Sequence, residues 1–99
     1  MVASLTELSV IASDQEVVSC DLAGGAALLD LRTTTYFSIN SVGAFVWALL
    51  GNPIAISEIH KALVAHYDVD QEQCYRDLLK LLQELAEAGL IITVDAATR

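Results

Sequence analysis

Residues 32–49, RTTTYFSINSVGAFVWAL, pass from a strand pattern to a helix pattern without a break. The first half is rich in threonine and aromatic residues, which favour β-strands. In the second half Val42, Phe45, Val46 and Leu49 recur at helical spacing. No returning strand follows, so we predict that the threonine-rich strand lies at the edge of its sheet. Its main-chain groups would then be unpaired on one side.

Two strand candidates precede this stretch. The three predicted strands span 16–22, 26–31 and 35–39. Short connections, AGG at 23–25 and RTT at 32–34, predict antiparallel neighbours. Residues 1–15 are predicted to form an N-terminal arm, in which 7–12 is either another strand or a loosely docked segment.

Helices follow the strands. The predicted helices span 42–50, 57–66 and 71–88. Asn40 or Ser41, then Ser57, then Asp70 are the predicted N-caps, and Gly89 is the predicted C-terminal stop. Residues 90–94 are predicted to be a short strand or an extended tail, and 95–99 are expected to fray.

The third predicted helix is apolar on two faces. One apolar stripe is formed by Cys74, Leu78, Leu81, Leu82 and Leu85 alone. A second, adjoining face carries Tyr75, Leu79 and Ala86. This helix is too apolar for a single contact surface. The element order predicts an α+β, winged-helix-like domain. Its three-stranded antiparallel sheet is followed by three helices and a short C-terminal strand or tail.

Composition narrows the function classes. The 99 residues are 55% hydrophobic and 18% charged, as expected of one packed domain, and the formal net charge is −8. That charge disfavours nucleic acid, and no apolar run approaches the ~20 residues that span a bilayer. No basic residue precedes an apolar stretch at the N-terminus, so we expect a cytoplasmic protein. Cys20 and Cys74 lack metal-site spacing and are expected to be buried thiols.

A catalytic constellation is hard to assemble from this chain. His60 and His66 are six positions apart and do not share a helical face, so they predict no metal site. Glycine-rich phosphate loops and zinc-protease motifs are absent from the sequence. We therefore expect no enzyme activity, no cofactor and no metal.

A binding module remains. An open edge strand beside a second apolar helix stripe would form a groove for β-strand addition, in which an extended peptide joins a sheet. The alternative is that threonines merely protect the edge and the extra leucines pack on the N-terminal arm. A winged-helix nucleic-acid binder and a homodimer paired through the edge are further alternatives.

The order of short motifs resembles the PqqD family. LLDLRTTTYFSIN (28–40) is similar to the family's "LD…TG.YY.LN", and GAFVWALL (43–50) to "G..IW.LL". SEIHKALVAHYDV (57–69) and the run from Asp77 to Ile91 continue the pattern, and the resemblance covers roughly residues 16–92. Thr34 stands where the family often has glycine, which predicts a less tight turn.

The resemblance implies a recognition domain, over residues 16–94, for the leader of a ribosomally made precursor peptide. The leader would pair with the third strand and pack on the third helix. The implied partners are this leader and a cysteine-type leader peptidase of a lasso-peptide pathway or another modifying enzyme. An adaptor for a radical-enzyme pathway, as in pyrroloquinoline quinone synthesis, is the alternative.

The implied leader-binding residues lie on that strand and that helix. On the strand they are Thr34, Thr35, Tyr36, Phe37 and Ser38. On the helix they are Tyr75, Arg76, Asp77, Leu78, Leu79, Lys80 and Leu82. Because strand side chains alternate between faces, only one of Tyr36 and Phe37 is expected in the groove, and the sequence leaves open which.

Overall fold

The computed structural model describes residues 5–6 and 8–94. Its elements are β1 (Val10–Ser13), β2 (Val17–Leu22), β3 (Gly25–Asp30), β4 (Thr35–Asn40), α1 (Ser41–Leu49), β5 (Ile54–Ala55), α2 (Ile56–His66), α3 (Gln71–Glu87) and β6 (Ile91–Val94). The expected α+β order of strands and then helices is confirmed. The frayed tail expected at 95–99 lies outside the described residues.

The expected antiparallel sheet has the strand order β2-β3-β4. Leu22 pairs with Gly25 across a two-residue turn, and Asp30 pairs with Thr35 across a four-residue turn. Leu28 and Ala26 of the central strand are buried, and so is Ile39 of β4. The inner face of this sheet therefore lies on the hydrophobic core.

A second small sheet, with the order β5-β1-β6, joins segments that are distant in sequence. Its central strand, β1, lies in the segment that was predicted to be an arm or a strand. Ile11 of β1 is fully buried and pairs with Ile54 on one side and Thr93 on the other. The predicted domain start at residue 16 remains a prediction, but β1 contributes directly to the core.

The helices pack on the inner side of the sheets. α1 lies against β3 and β4, whereas α3 packs on α2 and β6. The core includes Leu28, Val46, Leu50, Ile56, Ile59, Leu82 and Leu85, which have almost no exposed surface. Phe45, Trp47 and Leu49 are half-buried against this core. Full burial of a large apolar side chain, such as Leu28 or Ile59, stabilises the fold by roughly 1.5–3 kcal/mol.

Side-chain caps position two of the helices. The Asn40 side chain accepts from the Gly43 N–H at 2.8 Å, and the Asp70 side chain accepts from the Gln73 N–H at 2.8 Å. Both caps were expected. Ser57, in contrast, does not cap α2: the helix begins at Ile56, so Ser57 lies inside its first turn. The start of this helix is instead positioned by the pairing of β5, the preceding strand, with β1.

Two simpler expectations concern the membrane and the thiols. Within the described residues no helix is long and apolar enough to cross a membrane. Cys20 and Cys74 are both free, but Cys20 is exposed and Cys74 is half-buried. The expectation of two buried thiols was wrong for Cys20, because it lies on the outer side of β2.

The turn between β3 and β4 contains a strained threonine. Thr34 has a φ of +58°, in the left-handed region that glycine adopts readily and β-branched residues avoid. Its N–H donates to the Asp30 carbonyl at 2.7 Å, which closes the turn. The turn is thus closed by a main-chain hydrogen bond, with Thr34 in the left-handed conformation.

Thr34→Gly is therefore expected to stabilise the protein. Relief of the left-handed conformation is worth roughly 1–2 kcal/mol, and the greater chain entropy of glycine offsets roughly 0.5–1 kcal/mol. A net gain of about 0.5–1 kcal/mol, the middle of the difference between these ranges, should raise the melting temperature by roughly 2–8 °C in thermal denaturation followed by circular dichroism. The matched control is Thr33→Gly, which should lower it. A Thr34→Gly protein that melts no higher than wild type would contradict the strain at this turn.

Candidate functional site

The outer edge of β4 is open. In the sheet β2-β3-β4, the strand β4 pairs with β3 on one side, and no strand among residues 8–94 pairs with the other. An edge strand of this kind presents unpaired N–H and C=O groups that can accept a further strand. The predicted edge is thus confirmed.

Hydrogen bonds in the neighbouring strand identify which groups of β4 are free. Leu31 N–H donates to the Glu16 carbonyl on the β2 side. Because successive residues of a strand direct their main-chain groups to alternate sides, Leu28 faces β4 and bonds with its partner Phe37. The N–H and C=O groups of Tyr36 and Ser38 therefore point to the open edge.

The two aromatic residues of β4 lie on opposite faces of the sheet. Phe37 is half-buried and packs against the core on the helix side. Tyr36 is 70% exposed and lies on the outer face. Phe37 is therefore the aromatic residue of β4 that faces the interior between the sheet and the helices. Among the other predicted strand residues, Thr34, Thr35 and Ser38 are exposed.

A cavity of about 700 Å³ lies between the end of β4, the start of α1 and one face of α3. Its lining includes Asn40, Val42, Gly43, Val46, Leu63, Tyr67, Cys74, Asp77, Leu78, Lys80, Leu81 and Glu84. Gly43 lets α1 start close to β4, because a Cβ at this position would lie 2.9 Å from the Ile39 Cβ. The lining is mostly apolar near α1 and carries charges along α3.

The cavity lies on the Cys74–Leu78–Leu81 face of α3. Three of the predicted helix residues, Asp77, Leu78 and Lys80, line it. Asp77 also accepts a hydrogen bond from the Gln73 side chain at 2.9 Å. Burial, and to a smaller extent the negative charge of Asp77, raises the pKa of the Cys74 thiol. The cavity side of α3 therefore combines a half-buried apolar strip with an acidic margin.

The other predicted helix residues lie elsewhere. Tyr75 lines a separate, open depression beside His60, and Leu79, one turn further along, shares that side of the helix. Arg76 is exposed and contacts the Gln73 side chain at 3.1 Å. Leu82 is fully buried, so it has no surface to offer a ligand unless the core opens.

Most of the cavity-lining residues were not predicted, among them Val42, Gly43, Cys74, Leu81 and Glu84. Cys74 and Leu81 belong to the first apolar stripe of the helix, outside the predicted leader-binding residues, and they are only half-buried. Their helical spacing from Leu78 is a signal that they share one face, but the sequence does not show that this face is partly uncovered.

Arg32 fixes the far end of α3 beside the β3–β4 turn. Its guanidinium group forms ion pairs with Asp30 at 3.1 Å and Asp14 at 3.2 Å, and it donates to the Gly89 carbonyl at 3.0 Å. Gly89, with φ of +78°, is the predicted residue that ends α3. The C-terminal end of α3 is thus held at the turn before β4, and residues 73–84 line the same cavity as Asn40 at the end of β4.

This ion-pair cluster predicts acid sensitivity. Asp30 is only 4% exposed, and hydrogen bonds from Arg32 hold the pKa of its carboxyl below the ordinary value of 3.8. Its contribution to stability is therefore complete above pH 3.8 and is lost as the pH falls through the folded-state pKa. Asp30→Asn should lower the melting temperature at pH 7, and the difference from wild type should narrow below about pH 4.

Thermal denaturation at a series of pH values from 7 to 3 measures this difference. The exposed residue Asp68 supplies a matched control, since Asp68→Asn should melt like wild type at neutral pH. A gap between wild type and Asp30→Asn that stays constant down to pH 3 would contradict the role of the ion pair.

In the described part of the chain, no group of three or more histidine, cysteine, aspartate or glutamate residues is arranged to hold a metal ion. His60 instead contacts the Gln71 carbonyl through Nε2 at 2.9 Å, and His66 stacks on Phe45. The features of this site are thus a main-chain edge, an apolar cavity and an acidic helix margin.

Known proteins of similar sequence and fold include one family and two solved structures. The family model described as "Coenzyme PQQ synthesis protein D (PqqD)" matches residues 25–91. A solved structure of TbiB1 in complex with the TbiA(beta) leader peptide is 36% identical, with a TM-score of 0.74. The match covers 81% of this chain and 93% of that one.

A second structure, lasso peptide synthetase B1 complexed with the leader peptide, is 23% identical with a TM-score of 0.72. The match covers 83% of this chain and 96% of that chain, so the two proteins share a fold. A search of curated proteins finds no match.

Proposed function

The chain belongs to the PqqD family, and we propose that it binds the leader segment of a ribosomally synthesised precursor peptide. The leader adds to β4 as a further strand, and the pathway is that of a lasso peptide. The observation that carries this proposal is the open edge of β4 next to the apolar cavity. The leader-bound state of the 36%-identical TbiB1 supports the choice of ligand.

Main-chain pairing supplies the part of the affinity that does not depend on the leader's sequence. Tyr36 and Ser38 each offer an N–H and a C=O to the incoming strand. A typical hydrogen bond contributes about 0.5–1.5 kcal/mol net. A leader side chain opposite Phe37 lies on the same face as Phe37 and enters the space toward the helices.

The cavity supplies selectivity. Because strand side chains alternate, every second leader residue points to the helix side, where Cys74, Leu78 and Leu81 offer apolar contact. Asp77 and Lys80 lie at the margin. A complex of this kind is expected to bind with a dissociation constant from micromolar to tens of nanomolar, about −8 to −10 kcal/mol.

The protein is proposed to act as an adaptor, not as a catalyst. It would present the bound leader to a cysteine-type leader peptidase or another modifying enzyme. A role with a ribosomally made precursor places it in the cytoplasm, where the precursor is synthesised. The family's description also names coenzyme PQQ synthesis, so a precursor of a radical-enzyme pathway is the second candidate ligand.

Titration of a synthetic leader peptide tests the proposal. The peptide is the TbiA(beta) leader that the 36%-identical TbiB1 binds, and a scrambled version of the same composition is the control. Isothermal calorimetry should give a 1:1 complex for the leader alone. Equal binding of the scrambled peptide, or none of either, would count against leader recognition. Retardation of duplex DNA at physiological salt would favour the nucleic-acid alternative instead.

A further inference from the structure

The outer face of the sheet β2-β3-β4 is exposed and uncharged. Pairing aligns Val18, Leu29 and Tyr36 in one row across the three strands, and Cys20, Ala27 and Ser38 in the next. The third row begins with the exposed Leu22. None of these positions carries a charge, although 18 of the chain's 99 residues are Lys, Arg, Asp or Glu and the net charge is −8.

This face would be continuous with a bound leader. A strand added to β4 lies in the plane of the sheet, and its residues opposite Tyr36 and Ser38 place their side chains on the outer face. On the inner side, Asn40 at the end of β4 and one face of α3 line the cavity. The outer face is therefore the side from which another protein can contact the leader and this chain together.

We propose that the outer sheet face is the docking surface for the enzyme that processes the leader. This inference rests on the proposed function. The docking partner has an uncharged, apolar surface that covers the Val18–Leu29–Tyr36 row and the adjoining leader side chains. Such a partner binds the loaded complex more tightly than either component, because only the complex presents the complete surface.

A substitution at position 18 tests docking separately from leader binding. Val18 is on β2, and neighbouring strands lie about 4.8 Å apart, so it is roughly 14 Å from a strand added to β4. Val18→Glu places a charge in the outer face without touching the edge. Ile92→Glu is the matched control: Ile92 is 45% exposed against 46% for Val18, and it lies on β6 of the other sheet.

The experiment uses the full chain, a precursor whose leader it binds in the titration above, and a cysteine-type leader peptidase that cleaves that precursor. Val18→Glu should bind the leader within twofold of wild type, yet leader removal by the peptidase should slow at least tenfold. Ile92→Glu should change neither. Leu22→Glu, at the exposed end of β2, is the second variant and should reproduce the slowed removal if Val18→Glu does not fold.

Three results would overturn the docking surface. One is normal leader removal with both charged variants. Another is a parallel loss of leader affinity, which would assign the face to peptide binding. The third is a wild-type dimer in sedimentation that Val18→Glu dissociates without slowing removal, since the occupant would then be a second copy. Failure of wild type to bind the leader at all would instead reject the proposed function.

Discussion

Ser38→Pro is expected to weaken leader binding by about 100-fold and to leave the fold intact. The Ser38 N–H points to the open edge of β4, so proline removes a donor that the protein's own sheet does not use. Proline is tolerated on an edge strand when its nitrogen faces solvent. Its ring also occupies the space into which the leader's backbone must approach. The expected loss corresponds to about 2.8 kcal/mol.

Ser38→Ala is the matched control, because it keeps the main-chain N–H and removes only the hydroxyl. It should bind the leader within about threefold of wild type in the same calorimetric titration. Circular dichroism melts should show both variants folded. If Ser38→Pro binds normally, the peptide does not use this edge. If it unfolds, the direction of the β4 main-chain groups inferred from the Leu31 bond to Glu16 is wrong.

The edge itself was predictable from sequence because its cause is local. Strand-forming residues at 35–39 run directly into a helix capped by Asn40, and that order leaves no segment to pair on the far side. The position of the turn was predictable, but the strained backbone conformation of Thr34 was not. A threonine gives no sign that it will adopt a φ of +58°, since the Thr34 conformation is imposed by pairing of Asp30 with Thr35.

The second sheet could not be predicted, because its pairing is not local. β5 has two residues and β6 has four, and β1 between them comes from the N-terminal segment. Segments this short carry little strand signal, and their partners are more than 35 positions away in sequence. Burial of Ile11 between β5 and β6 favours this pairing, but that burial exists only once the chain has folded.

The helix residues show a similar limit. The sequence of α3 has two apolar stripes, and the pattern cannot say which one the rest of the fold covers. The core takes Leu78, Leu82 and Leu85 of the first stripe, although Leu78 and Leu82 were also predicted to bind the leader. The cavity, however, adjoins that same stripe through Cys74 and Leu81, whereas Tyr75 lies at a different depression. The choice depends on α3 being held beside β4 by Arg32, a contact across 57 positions.

Leu81→Glu is expected to reduce leader affinity by roughly 2–4 kcal/mol, the range of an interface hot spot. Leu81 is half-buried in the cavity wall opposite the end of β4. A glutamate there replaces apolar contact with a carboxylate, and it lies within one helical turn of Asp77 and Glu84, so like charges concentrate on the peptide side. Fluorescence anisotropy of a labelled leader peptide measures the change.

Leu79→Glu is the matched control, since Leu79 is also a half-buried leucine of α3 but shares the Tyr75 side of the helix. Both variants introduce the same charge into the same helix, so a general loss of stability would affect them alike. Retained affinity in Leu79→Glu together with a loss in Leu81→Glu assigns the leader to the cavity face. The reverse result would assign it to the Tyr75 and Leu79 face, and the bound strand would then have to reach around the helix from β4.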